Sequence, residues 1–390
     1  MFIYSFYQEE VMRIDRRAWA EINLSAIREN FFAIKKGLGE NVKMCCVVKA
    51  NAYGHGACRL SALYEKLGAD MLAVATVFEA KSLREAGIGT DILVLGYTPP
   101  EYAALAASLG VIQCVYSLDY ARELCARLCG EKLKIHIKID TGMGRLGFVF
   151  RDTEADIRSV FEIEQVCLMK GLSAEGIFTH LALADGGVGG REFTYMQYSC
   201  FLKIAELLSE RGISFPVRHL ANSAAVFDYP EMALDMVRAG IALYGLLPSA
   251  SLSCAPELLP AMTLKTVISH IKNVRPGECI GYGGAYAAEG ERKIATLPIG
   301  YADGVPRLLS GVGKFTVDGI CCDTVGKICM DQTMIDITEA ENARVGDAVT
   351  VFGRGAAMSA EGMAGLCNTI GYEILTGISE RVERIYINEP

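Results

Sequence analysis

Short apolar runs alternate with helical patterns from residue 19 to about residue 247. The runs at 44–48, 71–75 and 92–95 are predicted strands, and 77–86 is a predicted helix. An earlier helix contains apolar Ile27, Phe31 and Ile34 at helical spacing, and either Asn23 or Ser25 could cap it. Regular alternation of this length predicts a parallel sheet closed into a (β/α)8 TIM-like barrel.

The pattern changes after about residue 255. Short β-rich runs follow at 263–271, 293–298, 314–317, 334–337 and 348–352, separated by Pro-Gly, Glu-Gly and Asp-Gly turn signals. We therefore predict an N-terminal barrel domain over 13–255 and a C-terminal mostly-β domain over 256–390. The boundary is expected in the Ser- and Pro-rich stretch 249–260.

One predicted strand, 133–140, alternates strictly between isoleucine or leucine and polar residues. In a barrel the apolar face meets the helices, so Lys138 and its polar neighbours should point into the barrel interior. A polar interior near the end of a strand is where a binding site can be built.

The net charge, the length of the apolar runs and the cysteine spacing exclude several classes of function. The net charge of −8 argues against a nucleic-acid surface, and no apolar run reaches the roughly 18 residues of a membrane span. The acidic start is no secretory signal, and Met12 could be the true start. The 14 cysteines are scattered without zinc-site spacing, so we expect reduced thiols, no metal and a cytoplasmic protein.

Lys49 ends an apolar strand and is followed by a glycine-punctuated turn. Burial disfavours a charged amine and lowers its pKa, which suits a lysine for Schiff-base chemistry with an aldehyde cofactor such as pyridoxal phosphate. Alternatively, Lys49 extends to solvent from a strand end, which is the commoner fate of lysine. The reactive interpretation gains support from other segments that fit the same site.

Four other segments with reactive or hydrogen-bonding side chains also lie at predicted strand ends or turns. Arg145 lies in a tight glycine loop, where it could clamp a carboxylate or phenolate or be an ordinary surface arginine. His180 ends a strand and is first expected to pack or stack. Asn222 and Ser223 offer donors to a phosphate, and Arg238 precedes Gly240, whose backbone could cradle one. Tyr282 and Tyr301 lie in glycine-flanked loops, each a weak signal alone.

The motifs VVKANAYGHG, DTGMGRLG, GYADG and GKICMD together closely resemble the alanine racemases, from Trp19 to Glu373. This resemblance implies a pyridoxal-phosphate isomerase that interconverts L- and D-alanine and supplies D-alanine for peptidoglycan. It implies two catalytic bases, the Schiff-base lysine Lys49 and Tyr282. The tyrosine and the methionine at Met330 come from the partner subunit, so a homodimer with shared active sites is implied.

The resemblance also assigns contact residues. Cofactor contacts fall on Lys49, Tyr53, His180, Asn222, Ser223, Arg238, Gly240, Ile241 and Tyr372. Arg238 matches the arginine at the pyridine nitrogen, with His219 beside it. Substrate and entrance positions fall on Arg145, Met330, Tyr301 and Asp331. Lys138 matches a lysine that is often carbamylated and pairs with Arg145, whereas Lys327 and Phe178 depart from residues that some members carry.

Two rival functions use the same cofactor. A non-catalytic pyridoxal-phosphate carrier would resemble only the barrel, and the β domain with Tyr282 argues against it. A decarboxylase of the same cofactor fold usually places an acid at the pyridine nitrogen, where this chain has Arg238. Some turnover of serine is also expected, because a small pocket rejects an added hydroxyl poorly.

Overall fold

The computed structural model describes residues 16–389, so Met12 and the predicted domain start at residue 13 lie outside the described residues. The chain forms two compact units, one of residues 28–258 and one that joins residues 259–389 to the N-terminal segment up to Ile27. The fold class predicted from the sequence, a barrel followed by a strand-rich domain, is confirmed.

The first unit is a nearly closed barrel of parallel strands. Their order around the barrel is Met236–Ala239, Lys43–Val47, Met71–Val74, Asp91–Val94, Ile112–Val115, Leu133–Asp140, Leu172–Phe178 and Val217–His219. Two backbone hydrogen bonds join the last strand region to the first, from Asp235 N–H to Arg218 O (3.2 Å) and from Arg238 N–H to Ala221 O (2.9 Å). The carboxyl ends of all these strands therefore meet at one rim.

One helix precedes the first barrel strand, and the others follow barrel strands. They are Leu24–Lys36, Ala57–Lys66, Val77–Glu85, Ala103–Ser108, Leu118–Ala126, Ile157–Cys167, Arg191–Glu210 and Ser223–Asp228. Of the two candidate caps, Asn23 is the one used, because its Oδ1 accepts the N–H of Ala26 at 3.0 Å. Within 16–389, no helix is long and apolar enough to span a bilayer.

The second unit is rich in strands. One sheet has the order Ile320–Asp323, Lys314–Val317, Ala348–Phe352, Met262–Val267, Ala18–Asn23 and Glu383–Ile387. A second sheet contains His270–Val274, Arg292–Leu297 and Thr333–Asp336, and a small hairpin contains Cys279–Ile280 and Tyr286–Ala287. Two helices, Ala360–Leu366 and Gly371–Thr376, complete this unit.

Two features differ from the expectations above. The strand Ala18–Asn23, placed in the predicted 13–255 barrel domain, instead pairs with Met262–Val267 and Glu383–Ile387. The predicted run 263–271 is two strands, because the chain leaves one sheet and enters another at residues 268–269. Both outcomes depend on partners distant in sequence, which a local apolar pattern does not identify.

Candidate active site

Lys49 follows the strand Lys43–Val47 and opens a left-handed turn. Residues 50–53 have φ between 51° and 54°, although none of them is glycine. Such a conformation costs roughly 1–2 kcal/mol per residue with a Cβ, so the surroundings must hold it. The Ala50 N–H donates to Glu79 Oε1 at 2.7 Å, and the Tyr244 hydroxyl donates to Val47 O at 2.8 Å.

The charge state of Lys49 is set by opposing influences. Its side chain is half-buried, and burial lowers the pKa of the amine below its ordinary value. The cationic Arg145 lowers this pKa further, while the carboxylate of Glu79 raises it. The net direction is downward, which increases the fraction of neutral, nucleophilic amine at Lys49.

A small cradle forms where Tyr53, Ser223, Gly240 and Ile241 meet. The Gly240 N–H donates to Ser223 Oγ at 2.8 Å, and a Cβ built on Gly240 would lie 2.9 Å from the Tyr53 hydroxyl. Two hydroxyls thus approach a backbone that carries no side chain, just before the turn Ile241–Tyr244. Asn222 caps the adjacent helix by accepting the Ala225 N–H at 3.1 Å.

Arg238 is buried at the centre of the barrel rim. Its Nη1 donates to His219 Nδ1 at 2.7 Å. Its Nη2 donates to Thr179 O (2.8 Å), Leu220 O (3.2 Å) and His180 Nδ1 (3.2 Å). Burial lowers the pKa of Arg238 to about 10, so the guanidinium remains a cation at neutral pH. His219 also stacks on Phe178, with ring centroids 4.7 Å apart and planes 4° apart.

The network continues from His219 to His136, whose Nδ1 lies 3.0 Å from His219 Nε2. Because the arginine can only donate to His219 Nδ1, the His219 proton is on Nε2 and is donated to His136 Nδ1. Burial and the charge of Arg238 lower the pKa of His136 to about 3, and the pKa of His219 also lies well below its usual range. Gly176 makes room for this contact, since a Cβ there would lie 2.6 Å from His136 Nε2.

Lys138 points into the barrel interior, as predicted from the alternating strand. Its Nζ is buried without a hydrogen-bond partner in the described part of the chain, and it lies 4.9 Å from the centre of the Phe178 ring. Burial, reinforced by the charges of Arg238 and Arg145, lowers the pKa of Lys138 well below its ordinary value. A buried amine with cations as neighbours is therefore shifted toward its neutral form.

Arg145 lies at the exposed tip of the loop that follows this strand. Asp140 Oδ1 shapes the loop by accepting the N–H of Gly142 at 2.9 Å and of Gly144 at 3.0 Å. The charge of Arg145 lowers the pKa values of both Lys49 and Lys138, so the three basic side chains lie within electrostatic range of one another.

The strand-rich unit presents the other predicted residues on its own surface. Tyr282, Met330 and Tyr301 are 70%, 53% and 43% exposed, respectively. Tyr282, Met330 and Asp331 line one pocket of about 470 Å³, and Asp331 accepts a hydrogen bond from Arg381 at 2.7 Å. The Tyr301 N–H donates to Cys329 O at 3.1 Å, which places its loop beside Met330. Tyr372 is half-buried in the helix Gly371–Thr376.

All fourteen cysteines are free thiols in the described chain, and burial raises the pKa of Cys45 and Cys114 to about 12. Among residues 16–389, no group of three or more His, Cys, Asp or Glu side chains could hold a metal ion.

Comparison with known proteins places this geometry in a family. Residues 22–248 match the model for the alanine racemase N-terminal domain, and residues 261–386 match the model for the C-terminal domain. An alanine racemase of Desulforamulus reducens is 44% identical over 372 residues, covering 95% of this chain and 98% of that protein. The chain belongs to the alanine racemase family. As a member of this family, it is an isomerase.

Solved structures agree with this assignment. An alanine racemase of Clostridium difficile 630 has a TM-score of 0.91 at 44% identity and covers 96% of both chains. The alanine racemase of Bacillus anthracis with bound L-Ala-P has a TM-score of 0.89 at 38% identity and covers 96% of this chain and 95% of that one. The resemblance recognised in the sequence motifs is thereby confirmed.

Several supporting residues were missed by the sequence interpretation. His136 lies in the alternating strand, whose inward face also carries Lys138, and that pattern could have identified it. Glu79 belongs to a capping-box signal, Thr-x-x-Glu, at the start of a helix. Gln197 donates to His180 O at 3.1 Å from a helix distant in sequence, and no local signal indicates it.

Proposed function

We propose that this protein interconverts L- and D-alanine with pyridoxal phosphate as its cofactor. One observation carries the proposal: a lysine amine with a lowered pKa and the Ser223–Gly240 cradle lie in the same barrel unit, at the carboxyl ends of its strands. Phosphate sites in such barrels commonly lie after the last two strands, which here precede Ser223 and Gly240. The substrate is inferred from the relatives, which are named alanine racemases.

The residues present fit this cofactor. The hydroxyls of Tyr53 and Ser223 and the backbone of Gly240 and Ile241 would hold its phosphate, because a side chain at Gly240 would fill the cradle. Lys49 would carry its aldehyde carbon, and Asn222, His180 and Tyr372 are further proposed contacts. When bound, pyridoxal phosphate supplies an electron sink that makes the hydrogen on the amino-acid Cα acidic.

Arg238 is proposed to face the pyridine nitrogen. Its guanidinium donates hydrogen bonds but does not give up its proton at neutral pH, because the pKa is about 10 even after burial. His219 and His136 remain neutral beside it and accept or relay its hydrogen bonds. An arginine at this position would leave the ring nitrogen of the bound cofactor unprotonated, which would restrain extended delocalisation and side reactions such as transamination.

Racemisation removes a proton from one face of Cα and returns a proton to the other face, so it needs two bases. Lys49 serves as one base because its lowered pKa leaves it able to accept a proton. Tyr282 serves as the other, contributed by a second copy of the chain. Its 70% exposure on the strand-rich unit makes it available to a partner. Arg145 and Met330 would bind the substrate carboxylate, with Tyr301 and Asp331 at the entrance.

Lys138 is proposed to carry a carbamate. Its neutral Nζ attacks carbon dioxide, a nitrogen–carbon bond forms, one carbon–oxygen π bond becomes a negatively charged oxygen, and an amine proton leaves to solvent. The product would place an anion between Arg145 and Arg238, where the unmodified amine has no hydrogen-bond partner in the described residues. In a native mass measurement, wild type should exceed the mass calculated from its sequence by one carbon dioxide per chain. The Lys138→Ala variant should show no such excess over the mass calculated from its own sequence.

The reaction is tested with L-alanine in deuterium oxide. Loss of optical rotation together with deuterium at Cα is the expected result. Release of carbon dioxide would indicate a decarboxylase, and no change in alanine would indicate a carrier. Borohydride reduction followed by peptide mapping should place the cofactor on Lys49, and labelling of any other lysine would refute its role.

The shared site is tested by mixing two inactive variants, Lys49→Ala and Tyr282→Phe. If each site combines Lys49 of one copy with Tyr282 of the other, a mixed dimer contains one intact site and activity returns. If both bases came from one chain, every site in the mixed dimer would lack a base. Continued inactivity after verified subunit exchange would refute the homodimer with shared sites.

The physiological role proposed is supply of D-alanine for peptidoglycan in the cytoplasm. This role rests on the family to which the chain belongs. Deletion of the encoding gene should make growth dependent on added D-alanine. Growth without it, in a strain with no other source of D-alanine, would refute this role.

A further inference from the structure

The left-handed turn at 50–53 needs a specific restraint because its residues carry Cβ atoms that disfavour this backbone conformation. Hydrogen bonds inside the turn satisfy several of its groups, such as Gly54 N–H to Ala50 O at 3.0 Å. The first N–H of the turn, on Ala50, has its acceptor outside the turn. That acceptor is Glu79 Oε1, at 2.7 Å.

The second oxygen of Glu79 binds a different strand end. Glu79 Oε2 accepts the N–H of Ala75 at 2.7 Å and of Thr76 at 3.2 Å, just after the strand Met71–Val74. One carboxylate therefore bridges the ends of two neighbouring barrel strands. Its charge also acts on Lys49, which immediately precedes Ala50.

We propose that Glu79 is a positioning residue for Lys49, because its carboxylate ties the first amide of the left-handed turn to the adjacent strand end. The turn has Lys49 at one end and Tyr53 at the other, so the same restraint holds the reactive amine and one wall of the phosphate cradle. The inference rests on the proposed function only in taking Lys49 as the reactive amine.

A simpler explanation is that Glu79 only caps its own helix. Thr76 and Glu79 form a reciprocal capping box, in which Thr76 Oγ1 accepts the Glu79 N–H at 3.2 Å. The variant Thr76→Ala removes this half of the cap but keeps the Glu79 contact with Ala50. It therefore separates loss of the cap from loss of the bridge between strand ends.

Glu79→Gln removes the bridge without shortening the side chain. A glutamine oxygen can accept at one strand end only, and its amide group would then direct N–H donors at the other. Glu65→Gln is a matched control, because Glu65 Oε1 likewise accepts the N–H of Gly89 (2.9 Å) and of Thr90 (2.7 Å), but before the strand Asp91–Val94.

The first measurement is hydrogen exchange of the segment 49–56 in the full-length chain as purified. In Glu79→Gln we expect exchange there to be about tenfold to a hundredfold faster, the effect of losing a hydrogen bond to a charged group. Thr76→Ala should speed exchange in the helix Val77–Glu85. Glu65→Gln loses a charge but keeps one accepting oxygen near Gly89. Neither variant should change exchange in segment 49–56. If segment 49–56 exchanged at the wild-type rate in Glu79→Gln, the proposal would be overturned. An equal acceleration of this segment in Thr76→Ala would also overturn it.

The second measurement is racemisation kinetics. Glu79→Gln should lower kcat by about tenfold or more with a smaller change in KM, because Glu79 acts on the base and not on the substrate contacts. A change confined to KM would overturn the positioning role. If the wild type itself does not racemise alanine, the proposed function fails, and hydrogen exchange still decides whether Glu79 holds the turn.

Discussion

The neutral histidines beside Arg238 predict a loss of stability in mild acid, and His136 allows the effect to be isolated. Its pKa is about 3 in the folded protein, against about 6.5 in an unfolded chain. Below pH 6.5 the unfolded chain therefore binds a proton at this position that the folded protein does not bind. The contribution to stability is fully present above pH 6.5 and is lost as the pH falls toward 3.

The magnitude follows from the linkage relation. Between pH 7 and 5 the proton difference at His136 lowers the free energy of unfolding by about 2 kcal/mol. His180 and His219, whose pKa values also lie well below the usual range, act in the same direction. Unfolded carboxylates titrate near pH 4, so they contribute little in this window.

The perturbation is His136→Gln, which does not titrate but keeps an oxygen that can accept the His219 Nε2–H. Urea unfolding at fixed protein concentration is measured by fluorescence at several pH values from 7 to 5. We expect wild type to lose about 2 kcal/mol more than His136→Gln between pH 7 and 5. The control His270→Gln changes an exposed histidine and should follow wild type. Equal pH dependence of His136→Gln and wild type would refute the reasoning.

Two glycine substitutions give further predictions. Gly176→Ala would place a Cβ 2.6 Å from His136 Nε2 and should destabilise the fold by about 1–3 kcal/mol in urea unfolding. Gly189→Ala, where a Cβ meets no atom within 4 Å, should change stability by less than about 0.5 kcal/mol, and equal effects would refute the packing argument. Gly240→Ala would place a Cβ 2.9 Å from the Tyr53 hydroxyl and should raise the Kd for pyridoxal phosphate about tenfold or more in an absorbance titration. Unchanged affinity would contradict the proposed cradle.

Much of the barrel could be predicted because its strands and helices follow local rules. The strand Leu133–Asp140 shows strict alternation, and the inward direction of Lys138 follows from it. The predicted strand starting at Met71 and the helix starting at Val77 lie within a residue of their observed bounds. Apolar periodicity and capping residues act over a few positions, so a single sequence contains the information.

The site was only partly predictable. Lys49, Ser223 and Arg238 were identified because each lies at a strand end with reactive or hydrogen-bonding chemistry. The Arg238–His219 contact, across 19 residues, was expected only from the family resemblance, and the contact of His219 with His136, across 83 residues, was not predicted. The role of Gly176 depends on a ring from a neighbouring strand, and nothing adjacent in sequence indicates that contact.

The sequence by itself determined the alternation of strands and helices, the change to a strand-rich C-terminal region, and the residue types available at each strand end. Only the tertiary structure decided that Ala18–Asn23 pairs with strands near residues 264 and 385, and that Glu79 bridges two strand ends. The physical reason is the distance along the chain over which each interaction acts. Backbone propensity and apolar spacing act between near neighbours, whereas strand pairing, desolvation and pKa shifts depend on groups that folding brings together within each unit.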